Sequence, residues 1–229
     1  MEKVSIIIPV KDEEVGLRYL LEDFESSNLG KELEIDFIFV IDERTSDDSR
    51  AIASQFSEKI IDQQETHGKG AAVRQAIQIW EQNKSDKIVF LDADGSYSFE
   101  SVRGLISALD GEADVISGSR FLDGGRRPEG MTRLHNFGNR VLSKISSIRN
   151  GRVISDLCTG LWGFKKGALE KLPLNSNGFD LEAEITGLSR KQGLRHSEIP
   201  VDWSQRKGGS SKLRSISDGF IILLRILIT

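Results

Sequence analysis

The 229-residue sequence contains a single cysteine, Cys158, which excludes an internal disulfide framework and is typical of a protein kept in a reducing compartment. It also lacks an excess of positive charge. The formal net charge is -4 and the pI is about 5.6, which argues against a nucleic-acid-binding protein. No apolar run reaches the roughly 18 residues of a membrane span, and no apolar leader follows Met1. Only three histidines are present and they are scattered, which disfavours a zinc site. We therefore expect a soluble protein, or one peripheral to the cytoplasmic face of a membrane.

Short apolar runs alternate with segments of helical periodicity along most of the chain. Strands that alternate with helices in this way predict an α/β fold, in which helices cover both faces of a mostly parallel sheet. A chain of this length can form one domain with its own hydrophobic core. The predicted strands are residues 4–10, 35–41, 59–61, 88–91, 115–120 and 197–201.

Two carboxylates follow the fourth predicted strand, in the segment Asp92-Ala93-Asp94-Gly95. Asp92 and Asp94 are two residues apart, so in an extended chain they point the same way. Two bare carboxylates about 4 Å apart repel by roughly 4 kcal/mol at an effective dielectric constant of 20. A cation between them would remove this repulsion, and oxygen ligands favour Mg2+ or Mn2+. The alternative is that one aspartate caps the next helix and the other is solvated.

Further charged residues follow other predicted strands. Ligands of parallel α/β sheets bind beyond the carboxyl ends of the strands, where Asp12, Asp42 and Arg120 are expected to join Asp92. The first strand is not followed by G-x-G-x-x-G, which excludes a dinucleotide-binding fingerprint. The turn at residues 68–70 lacks the spacing of a P-loop. It either approaches a phosphate at a helix N-terminus or is a plain glycine turn with a solvated lysine.

A basic loop at residues 203–214 places cations among glycines and serines, as a site for an anionic group does. A plain basic linker is the alternative. The glycine-rich segment at residues 123–130 is typical of a mobile lid over a site.

The last residues form an amphipathic pattern too short to span a bilayer. Arg214, Asp218 and Arg225 fall on one helical face, opposite an apolar face that includes Phe220 and Leu227. This pattern predicts a helix at a membrane interface or against a partner, with a core helix as the alternative. We expect a main domain at residues 1–212 and an appended amphipathic helix at 213–229.

Two other functions remain open at this point. The segment that begins at Asp92 resembles the nucleophile motif of haloacid-dehalogenase-type phosphatases, although three strand-helix units precede it here. A non-catalytic membrane adaptor would need only the C-terminal helix.

Several short motifs occur in a specific order along nearly the whole chain. They are residues 8–14, Asp42, residues 68–72, 92–95 and 118–120, Asp156 with Gly160, and Arg206 with residues 211–213. In this order they resemble the dolichol-phosphate mannosyltransferases and their polyprenyl-phosphate glucosyltransferase relatives. The resemblance implies the Rossmann-like GT-A fold. It also implies an inverting transfer of mannose or glucose from GDP-mannose or UDP-glucose to a dolichyl or polyprenyl phosphate, possible membrane anchoring by a partner subunit, and no nucleic-acid partner.

The resemblance also implies a role for individual residues. Asp12 and Asp42 would hold the base and ribose of the nucleotide, and Arg120 would face its phosphates. Asp92 and Asp94 would hold Mg2+ or Mn2+ on the diphosphate. The implied nucleotide-sugar site consists of Pro9, Asp12, Glu13, Asp42, Lys69, Asp92 and Arg120; the acceptor-phosphate site of Arg133, Arg206 and Lys212; and the catalytic group of Asp94, Arg206 and Lys212.

Two positions depart from the family pattern. Residues 42–46 replace the usual Asp-Asp-Gly-Ser, and Ser96 stands where the mannosyltransferases commonly have a metal-binding glutamine. The sequence therefore leaves the sugar and the nucleotide open.

Overall fold

The architecture is a seven-stranded sheet with helices on both faces, in the strand order β3-β2-β1-β4-β6-β5-β7. A computed structural model describes residues 2–63, 66–83, 85–122, 127–213 and 216–229. All strand pairs are parallel except β4–β6 and β5–β6, which are antiparallel. The strands are β1 Lys3–Val10, β2 Glu34–Asp42, β3 Ile60–Gln63, β4 Lys87–Phe90, β5 Val115–Ser119, β6 Trp162–Lys165 and β7 His196–Pro200.

The strands at the centre of the sheet are apolar along their length because helices cover both of their faces. In β1, Ile6 and Ile8 pack on one face and Ile7 on the other, all with no solvent exposure. The helices are α1 Glu14–Ser27, α2 Leu29–Glu32, α3 Ser49–Ala53, α4 Lys69–Asn83, α5 Phe99–Ala108, α6 Arg133–Asn150, α7 Lys166–Leu169, α8 Leu181–Lys191 and α9 Ser217–Ile228.

The prediction of a mostly parallel α/β sheet is confirmed, and each of the six predicted strands is present within about two residues at its ends. The sequence analysis missed β6, which lies between β4 and β5. This strand has only four residues and contains Gly163, so neither its length nor its composition marks a strand. The predicted lid falls partly on residues 123–126, which lie outside the described residues.

Helix α9 packs on α6 and α8 through Ile222 and Ile226. Arg225, on the charged face that the sequence predicted, points inward and pairs with Asp180 at 2.8 Å and Glu184 at 3.1 Å. Its charge neutralises two buried carboxylates of the α8 region. Arg214 lies outside the described residues. Among the described helices, none combines the length and apolarity that a membrane crossing requires.

Candidate active site

The carboxyl end of β4 delivers Asp92 and Asp94 to a tight turn closed by Gly95. Gly95 adopts a positive φ of 69°, which a residue with a side chain adopts at a cost. Asp94 Oδ1 accepts hydrogen bonds from Ser96 N at 3.0 Å and Ser96 Oγ at 2.6 Å. The first turn of α1 lies directly against this segment, since a Cβ on Gly16 would be 2.6 Å from the Asp94 backbone. The turn is thus held from both sides.

Asp92 forms a buried ion-pair cluster with Lys69 and Glu182. The Lys69 ammonium lies 2.6 Å from Asp92 Oδ1 and 2.7 Å from Glu182 Oε1. Burial by itself lowers the pKa of Lys69, but the charges of Asp92 and Glu182 outweigh it and raise that pKa above its usual range. Burial raises the pKa of Glu182, against the opposing effect of the ammonium. Lys69 is therefore a permanent cation beside the first aspartate.

The glycines on either side of Lys69 serve packing between backbones. A Cβ on Gly68 would lie 2.4 Å from Asn177 O. The amides of Gly70 and Ala71, at the start of α4, donate to Gly178 O and Asn177 O. These two amides are therefore occupied within the protein and are not free donors for a phosphate.

The segment before β6 packs behind Asp92. The Tyr97 hydroxyl accepts a hydrogen bond from Gly160 N at 2.9 Å and lies 3.2 Å from Thr159 Oγ1. Burial raises the pKa of Tyr97 to about 12, so its hydroxyl stays protonated. A Cβ on Gly160 would lie 1.9 Å from Asp92 Oδ2. Only glycine at position 160 leaves room for this carboxylate.

The loop that follows β7 runs alongside the aspartate turn. Ser204 N donates to Ser96 O at 2.9 Å, and Lys207 N donates to Asp94 O at 3.0 Å. These backbone contacts bring Arg206 to the site, where its Nη2 lies 3.4 Å from Asp94 Oδ2.

Glu13 gathers the cations of the same loop. Its Oε1 accepts from Arg206 Nη2 at 2.7 Å and from Lys212 Nζ at 3.1 Å. Lys212 also donates to Asp12 O at 3.0 Å. Burial raises the pKa of Glu13, although both cations oppose this shift. Within the described part of the chain, Glu13 Oε2 and Arg206 Nη1 are buried and find no hydrogen-bond partner. This cluster therefore contains one buried acceptor and one buried donor that make no hydrogen bond.

Asp42 ends β2 and is almost fully buried at 2% exposure. Its two oxygens accept a forked pair of hydrogen bonds from Arg44 at 2.8 and 2.6 Å, and Lys11 lies 3.6 Å away. The hydrogen bonds from Arg44 hold the pKa of Asp42 below its usual range, more strongly than burial raises it. Asp12 accepts from Ser46 N at 2.8 Å, which ties the ends of β1 and β2 together.

Arg120 follows β5 and forms a forked pair with Asp156, at 2.6 and 2.7 Å. Glu198 of β7 accepts three hydrogen bonds from the backbone and hydroxyl of Ser155 and one from Asp156 N. These bonds position the carboxylate of Asp156. Burial by itself lowers the pKa of Arg120, but the charge of Asp156 outweighs burial and raises that pKa above its usual value. The guanidinium is also 5.9 Å from the Trp203 ring.

The structure brings most of the predicted residues to the carboxyl edge of the sheet. Lys69 pairs with Asp92 in one network, and a second network joins Asp94, Arg206, Glu13 and Lys212, with Asp12 in contact through its carbonyl. Pro9 lies in β1 beside Val40. Arg133 begins α6 and is exposed, and no contact with either network is present among the described residues.

The sequence analysis missed Glu182 and Tyr97. Glu182 belongs to a helix start with several acidic residues, so nothing in its spacing separates it from a solvated charge. Tyr97 lies three residues after Asp94, and this closeness in sequence to the aspartate turn is the signal that could have identified it.

The residues at this edge fit a divalent cation held jointly with a phosphate ligand. Among the described residues, no group of three or more His, Cys, Asp or Glu side chains is arranged to hold a metal. Mg2+ is commonly held by one or two carboxylates together with substrate phosphates. Asp92 and Asp94 supply such a pair of carboxylates, and within the described residues the Arg206 guanidinium beside Asp94 keeps one unpartnered donor, Nη1, for a phosphate.

Comparison with known proteins relates this geometry to a family. The chain is 27% identical over 226 residues to Glycosyltransferase AglJ of Haloferax volcanii, covering 98% of this chain and 71% of that protein. It is 28% identical over 223 residues to the dolichol-phosphate mannosyltransferase of Pyrococcus furiosus, covering 93% of this chain and 59% of that protein. It is 27% identical over 191 residues to the polyprenol monophosphomannose synthase of Mycolicibacterium smegmatis, covering 77% of this chain and 69% of that protein. The resemblance drawn from the motifs is confirmed.

A solved structure shares the fold. Glucosyl-3-phosphoglycerate synthase of Mycobacterium tuberculosis, in complex with Mn2+, UDP-glucose and phosphoglyceric acid, superposes with a TM-score of 0.71 at 16% identity. The superposition covers 99% of this chain and 79% of that one, which confirms the predicted GT-A-like fold. The family model described as "Glycosyl transferase family 2" matches residues 5–173, so that the chain, with its carboxylates and cations at the carboxyl edge of the sheet, belongs to glycosyl transferase family 2.

Proposed function

We propose that this glycosyltransferase moves a hexose, mannose or glucose, from GDP-mannose or UDP-glucose to a dolichyl or polyprenyl phosphate, with inversion at the anomeric carbon. One observation carries the proposal. Arg206 reaches Asp94 from more than 100 residues away in the chain, and Glu13 joins Arg206 to Lys212. Cations and carboxylates so placed suit a reaction in which the donor diphosphate and the acceptor phosphate are both anionic.

The acceptor chemistry needs little proton transfer. A phosphate monoester is already anionic at neutral pH, so a strong general base is not required to create the nucleophile. The protein must instead overcome repulsion between two anionic substrates and align them. Arg206 has a free donor in Nη1, and Lys212 has its ammonium at the same cluster, so both are placed to hold the acceptor phosphate.

A divalent cation, Mg2+ or Mn2+, would be held by Asp92 and Asp94. Bound there with the donor, it would supply charge neutralisation to the departing diphosphate. Asp94 keeps its own orientation through Ser96, and its other oxygen, Oδ2, lies 3.4 Å from Arg206 Nη2. Asp12, Asp42, Lys69 and Arg120 are assigned to the nucleotide sugar on the strength of the family pattern, and Arg133 to the acceptor.

A cavity beside Lys212 offers room for the acceptor. It has a volume of about 570 Å3 and lies between the segment before α8 and helix α9. Its lining includes the cations Lys212 and Arg225, the carboxylates Asp180 and Asp218, and the apolar side chains of Phe179 and Ile221. An isoprenoid phosphate likewise combines a charged head with an apolar chain.

Helices α6 and α9 pack together and expose large apolar side chains. Phe137 on α6 is 67% exposed and Phe220 on α9 is 60% exposed. Exposed Lys144 and Arg149 on α6 accompany them, a combination suited to an anionic lipid surface. We assign this face to the cytoplasmic surface of a membrane, where the lipid acceptor is found. A membrane-anchoring subunit is the alternative occupant.

Calorimetric titration with GDP-mannose and UDP-glucose, each with and without Mn2+, tests the donor assignment. Metal-dependent binding of one donor is expected, together with transfer of its sugar to a short polyprenyl phosphate. If neither donor binds with Mn2+ present, the donor assignment is wrong.

The two alternative functions have distinct outcomes. A haloacid-dehalogenase-type phosphatase would release phosphate from simple monoesters and depend on Asp92 as nucleophile. A non-catalytic adaptor would bind vesicles without binding a nucleotide sugar. Membership in family 2 favours the transferase over both.

A further inference from the structure

Lys69 occupies a position that a divalent cation would otherwise share. Its ammonium is 2.6 Å from Asp92 Oδ1, and the other oxygen of Asp92 packs against Gly160. One oxygen of the first aspartate is therefore already paired with a cation of the protein itself. The inference that follows rests on the proposed function and concerns how metal and donor enter that site.

The charges of the cluster nearly balance. Two carboxylates, those of Asp92 and Glu182, contact one cation, the ammonium of Lys69. One negative charge is left over. A divalent cation alone would make the cluster positive, whereas a divalent cation that arrives with the two negative charges of a diphosphate leaves the balance unchanged.

Lys69 is held in place by its surroundings. Its side chain is 12% exposed, and it begins α4, whose first amides are bonded to Gly178 and Asn177. Glu182 Oε1 also holds the ammonium, at 2.7 Å, and its own side chain is 8% exposed. Moving Lys69 away would leave the buried Glu182 carboxylate without this cation, which is costly.

We propose that Lys69, positioned by Glu182, is a resident counter-ion of Asp92 that keeps the affinity for a free divalent cation low until a nucleoside diphosphate is bound. Glu182 is thereby a positioning residue, because it acts through Lys69. Metal and donor then bind with positive coupling, and by linkage each raises the affinity for the other by the same factor.

Mn2+ binding, measured by electron paramagnetic resonance without any substrate, tests the counter-ion directly. Lys69→Met removes one positive charge from beside Asp92 and is expected to tighten Mn2+ binding by about tenfold or more. Lys87→Met is the matched control. Lys87 is likewise buried and paired with two carboxylates, Glu2 and Asp110, but it lies at the opposite end of β4, so Mn2+ affinity should not change.

The second variant changes the charge in the opposite direction. Glu182→Gln keeps the side-chain volume, removes a negative charge and leaves Lys69 paired with Asp92 alone. Mn2+ binding in the presence of UDP or GDP should weaken by about tenfold. A Lys69→Met protein that binds free Mn2+ no better than the wild type, or a Glu182→Gln protein that binds it better, overturns the proposal.

The wild-type protein supplies a test that needs no variant. Its affinity for Mn2+ should rise by about tenfold or more when UDP or GDP is added. If a nucleotide binds and the affinity for Mn2+ is the same with and without it, the coupling is contradicted. If neither nucleotide binds while Lys69→Met still tightens Mn2+ binding, the counter-ion role stands and the donor assignment of the proposed function fails. The two failures are thus distinguishable.

Discussion

At the scale of single residues, Asp94 is the side chain whose loss should separate activity from stability. Its carboxylate contacts Ser96 within its own turn and Arg206 at 3.4 Å, so few contacts of the core depend on it. Asp94→Ala should lower turnover by about a hundredfold or more, the scale seen when one charge-stabilising group is removed. The thermal midpoint should change by no more than about 4 °C, corresponding to roughly 1 kcal/mol for a chain of this size.

Turnover and thermal melts of Asp94→Ala check this expectation beside Asp86→Ala, which removes an exposed carboxylate four residues before Phe90. A folded Asp94→Ala protein with full activity would refute the assigned role.

Residue-level prediction from sequence succeeded where charge follows a recognisable strand. Asp92 and Asp94 follow a continuous apolar run, and Arg206 lies in a loop rich in cations, so composition and spacing alone mark all three as candidates. That Lys69 contacts Glu182 depends on how α4 and α8 meet across the sheet edge, which no local pattern encodes. The ion pair between Arg120 and Asp156 likewise cannot be predicted from the spacing of the two residues in the sequence.

At the scale of secondary-structure elements, the docking of α9 depends on one buried cation. Arg225 neutralises Asp180 and Glu184, and Glu184 in turn accepts from the amides of Asn175 and Ser176 beside α4. Arg225→Met should destabilise the protein by about 3 kcal/mol, because it leaves two buried carboxylates unpaired.

The free energy of unfolding in urea measures this loss. Arg18→Met is the control, since Arg18 is 54% exposed and pairs only with Glu14 on the same helix. That variant should lose less than about 1 kcal/mol. Equal losses in the two variants would mean that the Arg225 pairs are no more important than a surface pair.

His196 lies in β7, next to β5 at the edge of the sheet, and we expect it to make the stability of the protein depend on pH. Arg152 donates to His196 Nδ1, so the neutral ring carries its proton on Nε2, which faces Ser117 Oγ at 2.8 Å. Burial, and secondarily Arg152, holds the pKa of His196 well below its usual value. The unfolded chain therefore binds a proton that the folded chain does not, and stability falls as the pH drops below the unfolded pKa of about 6.5.

Urea unfolding at several pH values between 7.5 and 5 measures this effect. The wild type should lose up to about 1 kcal/mol per pH unit below pH 6.5 relative to His196→Gln, which cannot titrate. Parallel pH profiles for the two proteins would show that His196 is not the titrating group.

Element-level prediction from sequence located the parallel strands but not β6, and it did not find the partners of Arg225. Both gaps have one origin. A period of 3.6 or 2 identifies which residues share a face, whereas the partner of that face is set by contacts between distant parts of the chain. A buried arginine and an exposed arginine have the same periodicity.

At the scale of the whole molecule, the apolar side chains of α6 and α9 predict membrane association. Full burial of a phenylalanine contributes roughly 1.5–3 kcal/mol. The double change Phe137→Ser and Phe220→Ser should therefore lower partitioning onto anionic vesicles by about a hundredfold. Vesicle co-sedimentation with and without anionic lipid measures it, and thermal melts confirm that the variant is folded. If the wild-type protein binds neither kind of vesicle, the result would favour a protein partner for this face.

The close approach of α1 to the aspartate turn bears on how this protein tolerates mutation. A Cβ at position 16 would lie 2.6 Å from two backbone atoms of Asp94 and 2.8 Å from Ala93 O, none of which belongs to a side chain that can rotate away. In a library that samples every amino acid at each position under selection for activity, position 16 should accept glycine alone. Arg18, two residues further along the same helix and exposed, should accept most replacements. An inactive enzyme can thus arise from adding a single methyl group at a position that has no chemistry of its own.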